Sequence, residues 1–258
     1  MFIPFYDGKA LQHVSLQWVT LSIIAINVVV FLIGLPFAPS DGTAGGLAIG
    51  FGHIPSVAND LRTLPTEFRY IPDGLYPLTA ITYSFLHADW WHLAGNMLFI
   101  WVFGDNVEDA MGHIKFLIFY LACAVAGAFF HALVFPDSSS PLIGASGAAA
   151  GIVAAYLMLH PKARVWVLVM MRIPIRLTAL WVLGFWIAFQ IFMFVTSSGQ
   201  GVSWAAHVGG IMAGAVLVVI LKRRNVELFD RDLPVPQNQE ALVEPIPPKP
   251  KKRPWGRS

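Results

Sequence analysis

The sequence predicts an all-α membrane protein: a bundle of six transmembrane helices with a long, membrane-associated first loop. Three observations predict it. Hydrophobic residues make up 56% of the 258 positions and charged residues only 12%, against roughly a quarter charged in soluble domains. Apolar runs approaching the ~20 residues needed to cross a bilayer recur six times. The basic residues gather on one side of the resulting topology, as cytoplasmic loops require. A net charge of +2 offers nucleic acid no electrostatic footprint. The expected partners are the lipid bilayer and proteins within it, with no nucleic acid.

The first apolar segment covers Leu16–Leu35. It is long for a signal-peptide core and only Lys9 precedes it, so it is read as a retained helix. A loop rich in Gly, Pro and aromatic residues follows, from Pro36 to about Ala88, closed by Trp90 and Trp91. Such a loop suits the headgroup level, which Trp and Tyr favour. The second segment is Trp91–Phe103, continuing toward Glu108. The third is Ile114–Phe135, the fourth Ala145–His160, the fifth Leu177–Val195 and the sixth Ser203–Leu221. Residues 1–15 form a short cytoplasmic N-terminus, 16–221 the six-helix domain, and 222–258 a basic, Pro-rich, disordered tail. Of the 17 Lys and Arg, Arg62 and Arg69 alone fall in loops opposite to the rest. Both termini are therefore expected in the cytoplasm, with the protein in a bacterial inner membrane. The lone cysteine, Cys123, makes no internal disulfide and reads as a packed thiol.

Two polar residues sit where apolar helices begin. Ser146, in Gly144-Ala-Ser-Gly147, opens the fourth helix. His207, in Ala206-His-Val-Gly-Gly210, lies near the start of the sixth. A serine becomes a nucleophile only when a nearby base takes its proton. At 1.5 Å per residue, Ser146 stands roughly 21 Å above His160 and His207 roughly 22 Å above Lys222. Both helices run from outside to inside, so the two side chains share one depth, roughly 9 Å below the outer surface. Gly147 and Gly151 on the fourth helix, and Gly210 and Gly214 on the sixth, have the small-residue spacing that lets helix backbones approach. The alternative reading is that Ser146 caps its helix and His207 bonds a neighbouring one.

The second helix carries His92 and Asn96 on one face. An amide in a dry site can donate to a developing oxyanion, and the Ser146 N–H lies at a helix N-terminus, where negative charge is favoured. These are parts of an acyl-transfer site. No acidic residue falls at their depth, so the arrangement is a Ser–His dyad rather than a triad.

These pieces resemble the rhomboid intramembrane serine proteases. The resemblance spans Thr79 to Leu221 and rests on Phe85-Leu-His87, His92-Leu-Ala-Gly-Asn96-Met, Phe103-Gly-Asp-Asn-Val-Glu108-Asp-Ala-Met-Gly112-His, Gly144-Ala-Ser146-Gly147 and Ala206-His207-Val-Gly-Gly210 in that order. It implies Ser146 as nucleophile, His207 as base and later acid, and His92, Asn96 and the Ser146 N–H as oxyanion donors. It implies a six-helix core with a water-filled cavity open to the outside, and transmembrane proteins as substrates. It implies no cofactor. Two departures stand out. Some members place an aromatic residue on the imidazole one turn after the serine, where this chain has Ala150. Some carry a Trp-Arg pair in the first loop, which this chain lacks.

Other chemistries fit poorly. Without a His-Glu-x-x-His run, an intramembrane zinc protease lacks ligands and base, and no metal site is expected. Asp105 is not one of two facing intramembrane aspartates. Glu108 and Asp109, with Lys115, read as a solvated turn bracing the second and third helices. His87 reads as a hydrogen-bonded structural histidine, and Asn27 and Gln190 as interhelical amides. The competing functional class is a catalytically inactive rhomboid-like protein that binds membrane clients. A small transporter would carry mid-helix charges or paired broken helices, which are not evident.

Overall fold

The computed structural model describes residues 2–35, 45–169, 172–197 and 203–229. Most of the expected basic tail, from residue 230 on, lies outside them, as do loop residues 36–44. The architecture is predominantly helical. Strand β1 (Phe2–Tyr6) precedes helix α1 (Trp18–Gly34). The first loop holds short helices α2 (Gly46–Phe51), α3 (Pro55–Ala58) and α4 (Thr79–Thr82). Long helices α5 (Trp90–Met111), α6 (His113–Val134) and α7 (Ser146–Leu159) follow. Strands β2 (Arg164–Val169) and β3 (Ile173–Thr178) lead into α8 (Ala179–Thr196) and α9 (Trp204–Leu221).

Helices α6, α8 and α9 are long and apolar enough to cross a membrane. Helices α1 and α7 are apolar but shorter, and α5 carries Asp105, Glu108 and Asp109 in its last turns. Helix α7 lies at the centre, with most of its residues buried. It packs against α5, α6 and α9, while α1 and α8 are peripheral. On α8 only Ala179, Leu183 and Gln190 are buried. Trp181, Phe185, Phe192 and Val195 on its other faces are exposed, as side chains facing lipid would be.

The predominantly helical fold agrees with the all-α expectation, with one addition that the sequence reading did not include. An antiparallel sheet of order β1-β2-β3 joins residues 2–6 to the segment between α7 and α8. Val165 and Val167 alternate with less buried neighbours and are fully enclosed. This is the two-residue period of a strand with one face on a core. The arginines that marked this stretch as a cytoplasmic loop occupy the sheet's other face and ends, with Arg176 over the Trp166 ring. Asp7, just after β1, is buried and its Oδ2 accepts from Asn106 Nδ2 (2.9 Å) and Tyr156 OH (2.8 Å).

Glu108 and Asp109 require a correction. They are buried rather than solvated. Glu108 does meet the third segment, through His113 Nδ1 at the start of α6, but most of the contacts of the pair go to the first helix and the residues before it. Glu108 accepts from the backbone N–H of Val19 (3.0 Å) and Thr20 (2.8 Å) and from Thr20 Oγ1 (2.6 Å). These are donors that the start of α1 cannot satisfy within itself. Asp109 accepts from the N–H groups of Gln12, His13 and Val14. Gly112, at φ +85°, ends α5. Residues 222–229, assigned to the tail from sequence, fold back beneath the bundle. There Arg223 N–H donates to Ala110 O (2.8 Å) and Phe229 N–H to Met158 O (2.6 Å).

Candidate active site

Ser146 is the first residue of α7 and is half-buried. The residue before the helix is Ala145, and no side chain caps this end. The alternative of a capping serine therefore finds no support, and the first N–H groups of α7 stay open to an anion. The first loop delivers this turn. His53 exchanges both backbone hydrogen bonds with Leu142 (3.1 and 2.9 Å), and Ser56 N–H donates to Ser138 O. Gly144 N–H donates to Tyr83 O (2.9 Å).

Gly144 adopts φ +118°, a region that side chains disfavour. A Cβ there would lie 2.6 Å from His92 Nε2 and 3.6 Å from Asn96 Nδ2. Two polar nitrogens of α5 thus converge on the turn two residues before Ser146. Asp89 caps α5, accepting from Trp91 and His92 N–H (2.8 and 2.9 Å), which sets His92 at the helix mouth. Asn96 Nδ2 donates one hydrogen to His87 Nε2 at 3.0 Å, and its second has no partner among the described residues. Gly144→Ala is expected to displace His92, cost about 2 kcal/mol through backbone strain, and cut any activity of the site at least several-fold. Thermal unfolding and turnover, measured together, check this.

His207 is buried on α9. The close approach of α7 and α9 is made by glycine. A side chain on Gly210 would meet the Gly147 carbonyl, and one on Gly214 the Gly151 backbone. A Cβ on Gly147 would be 3.3 Å from the Ala206 carbonyl, and one on Gly127 of α6 2.9 Å from it. The residues next to Ser146 and His207 are therefore in backbone contact, at the shared level that helix rise predicts. The hydrogen bond at His207 Nδ1 goes to Gln190 Oε1 on α8, at 2.7 Å, rather than to Ser146. The Trp186 ring stacks near the imidazole at 6.4 Å, and Trp204 meets it edge-on at 5.7 Å. These groups surround the ring where Ala150 leaves no aromatic partner. Gln190 was visible in the sequence as an amide in an apolar helix, but its partner was not. The start of α9 is pinned to α6 by Ser203 Oγ and His131 Nδ1 at 2.7 Å.

Among the described residues no group of three or more His, Cys, Asp or Glu side chains is poised for a metal. Burial, reinforced by the His131 charge, lowers His53 from its ordinary 6.5 to about 4. Burial and then the His92 charge lower His87 to about 3. Both are neutral near pH 7. Between pH 6.5 and those values the unfolded chain takes up protons that the folded one refuses, so stability falls as pH drops. Thermal unfolding is expected to show that fall from pH 6.5 to pH 5, and His53→Gln to make it shallower.

The description Rhomboid domain matches residues 76–224, more than half of the chain. The chain belongs to the rhomboid family. It is 28% identical over 236 residues to Rhomboid protease AarA of Providencia stuartii, covering 84% of this chain and 77% of that one. It is 31% identical over 149 residues to the mitochondrial Rhomboid protein 1 of Saccharomyces cerevisiae, covering 54% and 40%. It is 26% identical over 204 residues to Rhomboid-like protease 3 of Toxoplasma gondii, covering 79% and 68%. The chain spans about half the length, or less, of the mitochondrial relatives it matches in yeast and Arabidopsis thaliana. This rhomboid is an integral membrane protein, and its relatives occupy mitochondria and chloroplasts as well as bacteria.

Proposed function

We propose that this rhomboid is an intramembrane serine endopeptidase, cleaving peptide bonds in or near the transmembrane segments of other membrane proteins. One observation carries the reading. The glycine contact between α7 and α9 joins the neighbours of Ser146 and His207, at the turn on which His92 Nε2 and Asn96 Nδ2 converge. The protease names of the Providencia and Toxoplasma relatives support it. The reading includes six spans (α1 and α5 to α9), cytoplasmic termini, and a bacterial inner membrane as location.

In this mechanism Ser146 Oγ attacks the scissile carbonyl while His207 takes its proton. The Ser146 N–H, His92 and the free Asn96 hydrogen hold the oxyanion. His207 protonates the leaving amine. Water from the outer side then attacks the acyl-serine, with His207 again as base, and frees Ser146. The buried surroundings strengthen each of these interactions relative to water. The test is fluorophosphonate labelling and cleavage of a membrane-spanning substrate by the purified protein in detergent, beside Ser146→Ala and His207→Ala. Labelling and cleavage by wild type alone are expected. A folded wild type that does neither, beside an active rhomboid control, overturns the reading in favour of client binding.

A further inference from the structure

We infer that Gln190 is a positioning residue: its amide oxygen holds His207 in the Nδ1–H tautomer, leaving the Nε2 lone pair for the Ser146 hydroxyl. This deepens the protease reading and rests on it.

The argument begins with burial. Gln190 is 3% exposed, on a helix that otherwise shows mostly apolar side chains to its surroundings. An amide buried without partners costs about 1–3 kcal/mol, so its hydrogen bonds decide which way it faces. Gln190 Nε2 lies 3.3 Å from the Trp186 carbonyl. A carbonyl only accepts, so the NH2 group must point there. The amide oxygen then faces the imidazole, 2.7 Å from His207 Nδ1. Two acceptors cannot bond each other, so Nδ1 carries the proton. A neutral imidazole has one such proton, so Nε2 is bare and is the basic atom.

The amide dipole also favours the imidazolium that forms when Ser146 is deprotonated, because Oε1 carries partial negative charge. Trp186 and Trp204 confine the ring without choosing its tautomer, since neither presents an acceptor to Nδ1. Gln190 thus performs, without a charge, the orienting task that the acid performs in a Ser-His-Asp site. Trp186 and Gln190 are one turn apart, so a single face of α8 supplies a wall for the ring and the acceptor.

Two variants test this, with Ser146→Ala as blank. Gln190→Met keeps the length but removes the acceptor. Its kcat is expected to fall on the order of 10- to 100-fold, with KM unchanged and fluorophosphonate labelling slowed in parallel. Gln190→Glu keeps an acceptor, so kcat is expected within several-fold of wild type. The added carboxylate moves the acid limb of kcat/KM to higher pH, because it favours protonated His207. The titratable side chain acting on His207 from α5 is His92, which is unchanged in both variants. A folded Gln190→Met with wild-type kcat overturns the proposal. So does an unmoved acid limb in Gln190→Glu, even if the Met variant does not fold. Equal losses in both variants likewise overturn it, because they mark a packing role only. A wild type that neither cleaves nor labels defeats the protease reading itself, and the proposal with it.

Discussion

Gly210→Ala is expected to destabilise the protein by about 3 kcal/mol, the upper end of overpacking costs, and to remove measurable cleavage. The added methyl would occupy the space of the Gly147 carbonyl. That carbonyl is backbone in the first turn of α7, so it cannot swing aside as a flexible side chain would. The helices must separate or slide, and either movement shifts Ser146 against His207. Misplacement by 1 Å is enough to cost about 100-fold in rate. Gly184→Ala on α8 is the control. Nothing lies within 4 Å of a Cβ there, so the change should be neutral or stabilising, by up to ~1 kcal/mol. Thermal unfolding and turnover of both variants in one detergent make the comparison. A Gly210→Ala protein with wild-type turnover would show that the helix spacing is not needed.

Glu108→Ala is expected to cost about 3 kcal/mol and to loosen α1 specifically. Glu108 is fully buried, and its two oxygens receive three donors from the first turn of α1 together with His113 Nδ1 at 2.5 Å. Removing it strands the Val19 and Thr20 N–H groups inside the protein, and each buried donor left alone is costly. The variant should show a lower unfolding temperature and faster proteolysis between Val14 and Trp18. Turnover per folded molecule should change little, because the proposed site is built from α5, α7, α8 and α9. Unchanged proteolysis would mean that other contacts hold this end of α1.

The parts of the candidate site that helix rise and residue spacing can place were legible before the structure. Depth counted from His160 and Lys222 aligned the turns holding Ser146 and His207, and the four-residue glycine spacings marked the faces now seen in contact. What stayed hidden depends on which distant segment arrives to pair. Glu108 and Asp109 were misjudged because charged residues near a helix end are usually solvated. Apart from His113, their partners lie in residues 12–20, far away in the chain. The sheet was missed because Arg164, Arg172 and Arg176 were read for charge alone, and the Val165/Val167 alternation beside them is short. For Gln190 the sequence pointed to an interhelical hydrogen bond without naming its partner, and the packing of α8 on α9 supplies it in His207.

The capping of α1 by Glu108 orders events in biosynthesis. The ribosome makes α1 first, yet the carboxyl that closes its first turn is 88 residues further along the chain. Until α5 has been made and its last turns brought against α1, α1 carries open donors at one end and a mostly unpartnered surface. Its synthesis and its attachment to the rest of the protein are therefore separate steps. The second waits on a helix that does not yet exist when the first is taken, so a chain stalled between them presents a loose helix to the cell's quality control.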